Sequence, residues 1–198
     1  VNGPTTSARR GPARPAARPR GELLSAHGPE ALSLRRLAAD AGTSTTAVYS
    51  LFGGKPALVR ELYVEGFQRL GDRLEQVPRT EDPLADLEAL GHAYRDSALA
   101  NPHFYSIMFG RAVPDFAPDE AALELSKQCM RPLREAVCRA IEAGLLVEVD
   151  PEEIVFAAWG LVHGLVSLEL NGSTPGAGER RAARYSRALE HSMAGWRR

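Results

Sequence analysis

Cysteine is nearly absent from this chain, and its scarcity removes several chemistries at once. Only Cys129 and Cys138 occur, with no CxxC pair and no Cys/His cluster, so neither a zinc site nor a disulfide framework is expected. Nine residues of helix rotate by about 900°, which would point the two thiols to opposite faces, and so sparse a usage fits a reducing compartment. The five histidines (His27, His92, His103, His163, His191) are scattered without HExxH spacing, and no GxSxG motif sets a nucleophile on a turn. No alternating strand pattern of useful length exists, hence no glycine-rich phosphate loop after a strand. The acid pairs Asp119-Glu120 and Glu152-Glu153 fall at helix starts, where they oppose the dipole. No enzyme, metal or cofactor is expected. Long apolar runs are also missing. The longest, Ile154 to Leu168, contains His163 and Ser167 and is too short to span a bilayer, and no apolar segment follows the N-terminal arginines as in a secretory signal. The expectation is a soluble cytoplasmic protein with no membrane partner.

Net charge is almost missing as well, at −1, but the balance hides a division. Residues 1–60 carry nine Lys/Arg against three Asp/Glu, a net of +6, and residues 61–198 carry fifteen against twenty-two, a net of −7. A basic third beside an acidic remainder fits a nucleic-acid reader joined to a separate domain, because affinity follows the local charge that faces phosphates. Residues 1–18 hold Pro, Gly, Ala and Arg with no acid, which predicts a disordered basic arm. Such an arm either adds phosphate or minor-groove contacts or is a plain solvated tail; composition leaves both open.

The apolar spacing is helical throughout, so the fold class is all-α. Ser33 as N-cap and Gly42 as stop frame one helix, with Leu34, Leu37, Ala38 and Ala41 on one face and Arg35, Arg36 and Asp40 outward. Gly42-Thr43 form a tight turn, and Ser44 caps a short second helix running to about Phe52. On it Val48, Leu51 and Phe52 are expected to pack inward, leaving Thr45, Thr46, Tyr49 and Ser50 accessible. Gly53-Gly54 end that helix, and Lys55-Pro56 open a long one to about Val77. A helix-turn-helix followed by a third helix suits insertion of the short helix into a major groove. Further helices are expected over Pro83–Ala100, His103–Phe109, Asp119–Ala143, Pro151–Asn171 and Glu179–Trp196. The resulting division is a basic arm over 1–18, a DNA-binding domain over 19–75 and a helical ligand-binding and dimerisation domain over 76–198.

Residues Ile154 to Leu168 surround one helix almost completely with apolar surface, while Gly160 and Gly164 leave a shallow groove on it. Burial inside the domain on one side and against a second copy on the other satisfies this pattern; a monomer with a large core is the alternative. Aromatic residues and methionines are spread over the middle helices; His92, Tyr105, Phe109, Met130, Trp159 and His163 are candidates to line an apolar small-molecule pocket, although each taken singly suits core packing.

Gly28, Ser33-Leu34-Arg35, Leu37-Ala38, Ala41-Gly42, Ser44, Val48-Tyr49, Phe52, Lys55 and Leu58 together resemble the N-terminal domain of TetR/AcrR-type transcriptional regulators. The likeness covers about residues 22 to 67. Trp159-Gly160 and His163-Gly164 look like the Trp-His-Gly signature of one C-terminal domain found in such regulators. The resemblance implies that Tyr49 and Lys55 touch phosphates and that Thr45 and Thr46 approach bases; the full candidate DNA-contacting set is Ser33, Arg35, Ser44, Thr45, Thr46, Tyr49, Ser50 and Lys55. Thr43 stands where an apolar residue is usual and Leu51 where a His is common. Pro19 and Gly21 interrupt the first helix of the pattern, which is then expected to begin near Pro19 and to be short. The implied function is a homodimeric, ligand-responsive repressor on a palindromic operator, its effector unspecified. A helical protein-interaction module with a vestigial head is the rival.

Overall fold

A computed structural model describes residues 42–110 and 116–198, with Arg35, Ala38 and Ala39. The expected arm over 1–18, the helix start near Pro19 and the cap at Ser33 lie outside those residues. Eight helices follow in order: α1 (Thr45–Phe52), α2 (Lys55–Glu75), α3 (Pro83–Ala100), α4 (Pro102–Phe109), α5 (Glu120–Gln128), α6 (Arg131–Glu142), α7 (Pro151–Leu170) and α8 (Gly178–Ala194). Among the described residues there is no strand, only an isolated antiparallel bridge between Leu146 and Arg197.

The helix starts are written in capping chemistry. Proline occupies the first turn of α2, α3, α4, α6 and α7, where its missing N–H costs nothing. Aspartates cap three helices. Asp82 Oδ1 accepts from the amides of Leu84 and Ala85 at 3.0 and 3.1 Å, Asp119 Oδ1 from Ala122 at 2.8 Å, and Asp150 Oδ1 from Glu152 at 3.0 Å.

The expected single helix over Asp119–Ala143 is two. Pro132 can neither donate to the carbonyl four residues back nor fit beside it, so the helix closes at Gln128 and restarts at Arg131. Cys129 and Cys138 therefore sit on either side of a break rather than on one helix. Cys129 is buried, its thiol donates to the Ser126 carbonyl at 3.1 Å, and burial pushes its pKa up to about 12, so it is a packing group.

The core gathers around α2. Leu58, Val59, Tyr63, Phe67, Leu70 and Leu74 are all buried, a stripe at helical spacing that runs nearly its whole length. Its first turns pack against α1 and the remainder against α3, α4 and α5. Gly66 lets α4 come close, since a Cβ there would meet Met108 Sδ at 2.6 Å. Helices α3, α6 and α7 complete the bundle with Leu87, Leu90, Val137, Ile154, Val162 and Val166.

Helix α7 is apolar all round, as its sequence indicates, but this chain covers only one side of it. Ile154, Val155, Val162 and Val166 are buried, while Phe156 is 71% and Leu168 51% exposed. At 20 residues it is long and apolar enough, by length and composition alone, to cross a membrane. The sequence expectation of too short a run counted only Ile154 to Leu168 and missed the helical turns that Pro151 and Leu170 add.

Two ion pairs tie the helices together where the core cannot. Arg95 on α3 grips Glu169 on α7 with both arms, Nε to Oε2 and Nη2 to Oε1 at 2.8 Å each, and lies over the Tyr185 ring. The hydrogen bonds from Arg95 hold the Glu169 carboxyl below its usual range against the opposing effect of burial. Asp86 is the buried polar residue of α3. Burial works to raise its pKa, but hydrogen bonds from Thr80 and Arg139 more than offset this and leave it lowered. Removing one partner of a buried pair strands the other. Arg95→Ala should therefore lower unfolding free energy by about 3 kcal/mol in urea titrations, and a paired Arg95→Met, Glu169→Leu change should recover most of it.

Candidate nucleic-acid interface and internal cavity

The turn before α1 is set by Gly42, whose φ of 65° few other residues tolerate. Its amide donates to the Ala39 carbonyl at 3.0 Å, and the Thr43 amide to that of Ala38 at 2.9 Å, closing the preceding helical turn over buried Ala38. Ser44 then caps α1, its Oγ accepting from the Ala47 amide at 3.1 Å. At the far end Gly53 and Gly54 take φ of 81° and 121°, both amides returning to the Tyr49 carbonyl. These two glycines reverse the chain into α2 within two residues.

Helix α1 has a packed edge and an open face. Thr45, Val48 and Tyr49 are half-buried; Thr46, Ala47, Ser50 and Leu51 are exposed. Leu51, expected inside, is 80% exposed. The reason is angular: it lies one turn beyond Ala47, about 60° round the helix from Val48. Arg35 is helical and exposed on the preceding segment. Of the candidate set, the structure thus brings Thr46 and Ser50 onto one open face with Leu51 and Ala47, gives Ser44 a capping bond, and leaves Thr45 and Tyr49 at its margin. Lys55 opens α2.

Behind the head, Arg60 on α2 donates from Nε to Asp119 Oδ2 at 2.5 Å, so the residue that caps α5 also holds the head-side end of α2.

A half-open pocket of about 300 Å³ lies between α2, α4, α5 and α7. Tyr63, Phe67, Phe109, Met130 and Trp159 are among its walls. Phe109 is the hub: its ring centroid stands 5.5 Å from Phe67, 5.0 Å from Tyr105, 4.7 Å from His163 and 6.4 Å from Trp159. Five of the six residues expected to line a pocket therefore gather around one space, Met130, Phe109 and Trp159 directly and Tyr105 and His163 behind them. His92 does not join them. It faces α8, 3.4 Å from Ser186 Oγ and 5.7 Å from the Tyr185 ring, because its position on α3 is turned about 160° from Tyr94, which does reach the cluster. Tyr63 and Phe67 were missed as lining, since their spacing on α2 is that of ordinary core residues.

His163 is the polar centre of the cluster. The Tyr94 and Tyr105 hydroxyls lie 3.3 and 3.0 Å from its Nδ1, and the Tyr105 hydroxyl also reaches its carbonyl oxygen at 3.0 Å. Burial pushes the His163 pKa down and the tyrosine pKa values up, that of Tyr105 to about 12, so the cluster is uncharged at neutral pH. A folded-state imidazole pKa below the unfolded value means that the unfolded chain takes up the proton first. Its contribution is full above about pH 6.5 and is lost as pH falls below that value. Thermal midpoints of the wild type should accordingly drop more between pH 7 and pH 5 than those of His163→Asn.

Comparison with known proteins gives matches over both halves. The family model described as bacterial regulatory proteins, tetR family, matches residues 21–62, and the tetracyclin repressor-like, C-terminal domain matches residues 87–192. The HTH-type transcriptional regulator Rv1816 of Mycobacterium tuberculosis is 26% identical, with 74% of this chain and 75% of that protein covered; the Mycobacterium bovis regulator Mb1846 gives the same figures. Among solved structures, a protein of unknown function from a Rhodococcus species is 28% identical with a TM-score of 0.69, covering 89% of this chain and 91% of that one. The TetR family regulator PfmR from Thermus thermophilus shares the fold at 22% identity and a TM-score of 0.65, covering 89% and 96%.

Proposed function

Starting from the fact that the chain belongs to the TetR family of bacterial regulatory proteins, we propose that it is a homodimeric, effector-released repressor of a palindromic operator. The family places it among DNA-binding transcriptional regulators rather than enzymes, and its work is then in the cytoplasm, where the DNA lies. The observation that carries the finer reading is the continuity of α2, which leaves α1 at one end and walls a half-open pocket with Tyr63 and Phe67 further along. A ligand that binds the cavity differently in two positions of α2 shifts the head, and only such a difference can do so.

In this reading the open face of α1 enters the major groove. Thr46 and Ser50 supply hydroxyls to base edges, and exposed Leu51 and Ala47 supply apolar surface that suits thymine methyl groups. Tyr49, Lys55, Arg35, Ser33 and Ser44 stand for phosphate and positioning contacts, with Thr45 beside them. The boundary between head and effector domain falls where α2 ends, near residue 75, the basic arm over 1–18 preceding the head.

The second copy is supported by α7. Phe156, Gly160, Gly164 and Leu168 follow one another at helical spacing along the side that this chain leaves uncovered, and nothing lies within 4 Å of a Cβ built at either glycine. An apolar stripe with a shallow middle suits the same stripe of a symmetry-related copy.

Operators selected from genomic fragments supply the test. Tyr49→Phe and Lys55→Ala should weaken binding to all selected sites alike, Lys55→Ala also lowering the salt slope by about one. Thr46→Ala should instead change the ranking of sites. Fluorescence anisotropy in which none of the three variants differs from wild type would remove α1 from the interface. Gly160→Leu fills only open space in one chain, so it should leave helicity unchanged yet shift sedimentation equilibrium to monomer and weaken operator binding; an unchanged dimer would exclude this face.

A further inference from the structure

We infer that the effector is an elongated apolar carboxylate, its anionic end at Lys127 and its tail running past Met130. This deepens the effector-site reading above and rests on it. The pocket has aromatic and thioether walls, and Lys127 is the one charged residue among the described residues that line it. The interior offers little to a polar ligand. The Ser126 hydroxyl is engaged by the Leu123 carbonyl at 2.7 Å, and the Tyr105 hydroxyl behind the wall is taken by His163. Lys127 itself is only loosely held. Its ammonium is 4.0 Å from Glu124, at the limit of an ion pair, and its side chain is 76% exposed at the cavity edge. A cation at the rim of an apolar space selects an amphipathic anion, and it disfavours a cation or a uniformly polar molecule.

The shape comes from Met130. It lines that pocket and also a second one of about 80 Å³, whose lining includes Leu74, Leu87, Leu133, Leu161 and Leu189. The charged residues of that second space, Glu88, Glu190 and Arg197, are all exposed to solvent. A thioether side chain with three rotatable bonds is thus shared by two apolar spaces, and in this assignment its rotation joins them into one channel. The break between α5 and α6 puts Met130 there, because Pro132 forces the helix to restart. A compact ligand would fill the first space alone; an extended chain also uses the second, leucine-walled one.

Isothermal titration of the full chain with hexanoate, octanoate and decanoate, below their micellar concentrations, tests both ends. Affinity should rise roughly fourfold per methylene along the series. Decanoate should bind more tightly than decan-1-ol by about fivefold, the limit for an exposed ion pair, and decyltrimethylammonium should bind weakest. Lys127→Gln should bring decanoate level with the alcohol, whereas Glu124→Gln, by freeing Lys127, should tighten decanoate only. Met130→Trp should flatten the rise in affinity from hexanoate to decanoate, with circular dichroism confirming the fold of each variant. Equal affinity for alcohol and carboxylate, unmoved by Lys127→Gln, would overturn the anionic end; a chain-length series unaltered by Met130→Trp would overturn the channel. A protein that holds its operator but neither binds these probes nor releases DNA with them overturns this assignment and leaves the regulator standing. One that holds no DNA sequence selectively overturns the regulator reading itself.

Discussion

The structure depends on one unbroken helix. Residues 55–75 form 21 consecutive helical residues, and the stripe from Leu58 to Leu74 is buried first against the head and then against the bundle. Breaking it anywhere would separate two packing units that otherwise share a backbone. Its sequence is suited to that load: proline only at the first turn, glycines only at position 66, where Met108 presses close, and position 71, and no β-branched run. The same stripe supplies both core packing and one wall of the pocket, so a change in either is felt by the other.

Around this helix the two least exposed ion pairs of the bundle span long sequence separations. Arg95 and Glu169 are 74 residues apart, and Arg139 and Asp86 are 53 apart. Each carboxylate is largely withdrawn from water, so each pair fixes one arrangement of its helices rather than adding much net stability. Apolar packing alone would tolerate a slide along α3; a two-pronged guanidinium grip would not.

Much of the fold is legible in the sequence because its signals are local. Asp82, Asp119 and Asp150 announce helix starts, Gly42 and Gly53 announce stops, and the aromatic set Tyr105, Phe109, Trp159 and His163 stands out by composition. What escapes is decided between neighbours with competing signals or between distant residues. The apolar spacing across 119–143 hides the break at Pro132, although the same proline signal marks helix starts at Pro56, Pro83 and Pro151. The chemistry of Leu51 points inward, but its angle relative to Val48 puts it outside. His92 groups with the aromatics by residue type, whereas its turn on α3 faces α8. The long-range ion pairs leave no trace in local sequence, since nothing about Arg95 distinguishes it from an exposed arginine.

Asp119 closes the circuit between these parts. One carboxylate divides its two oxygens between the first turn of α5 and the Arg60 guanidinium of α2. Helix α5 ends beside Ser126 and Lys127, at the rim of the pocket, so one nine-residue helix links that rim to the same carboxylate. In mechanical terms Asp119 is a pin through two levers. The start of α5 cannot lift away from α2 without giving up the bond to Arg60, which makes the cap of one helix the brake on the other.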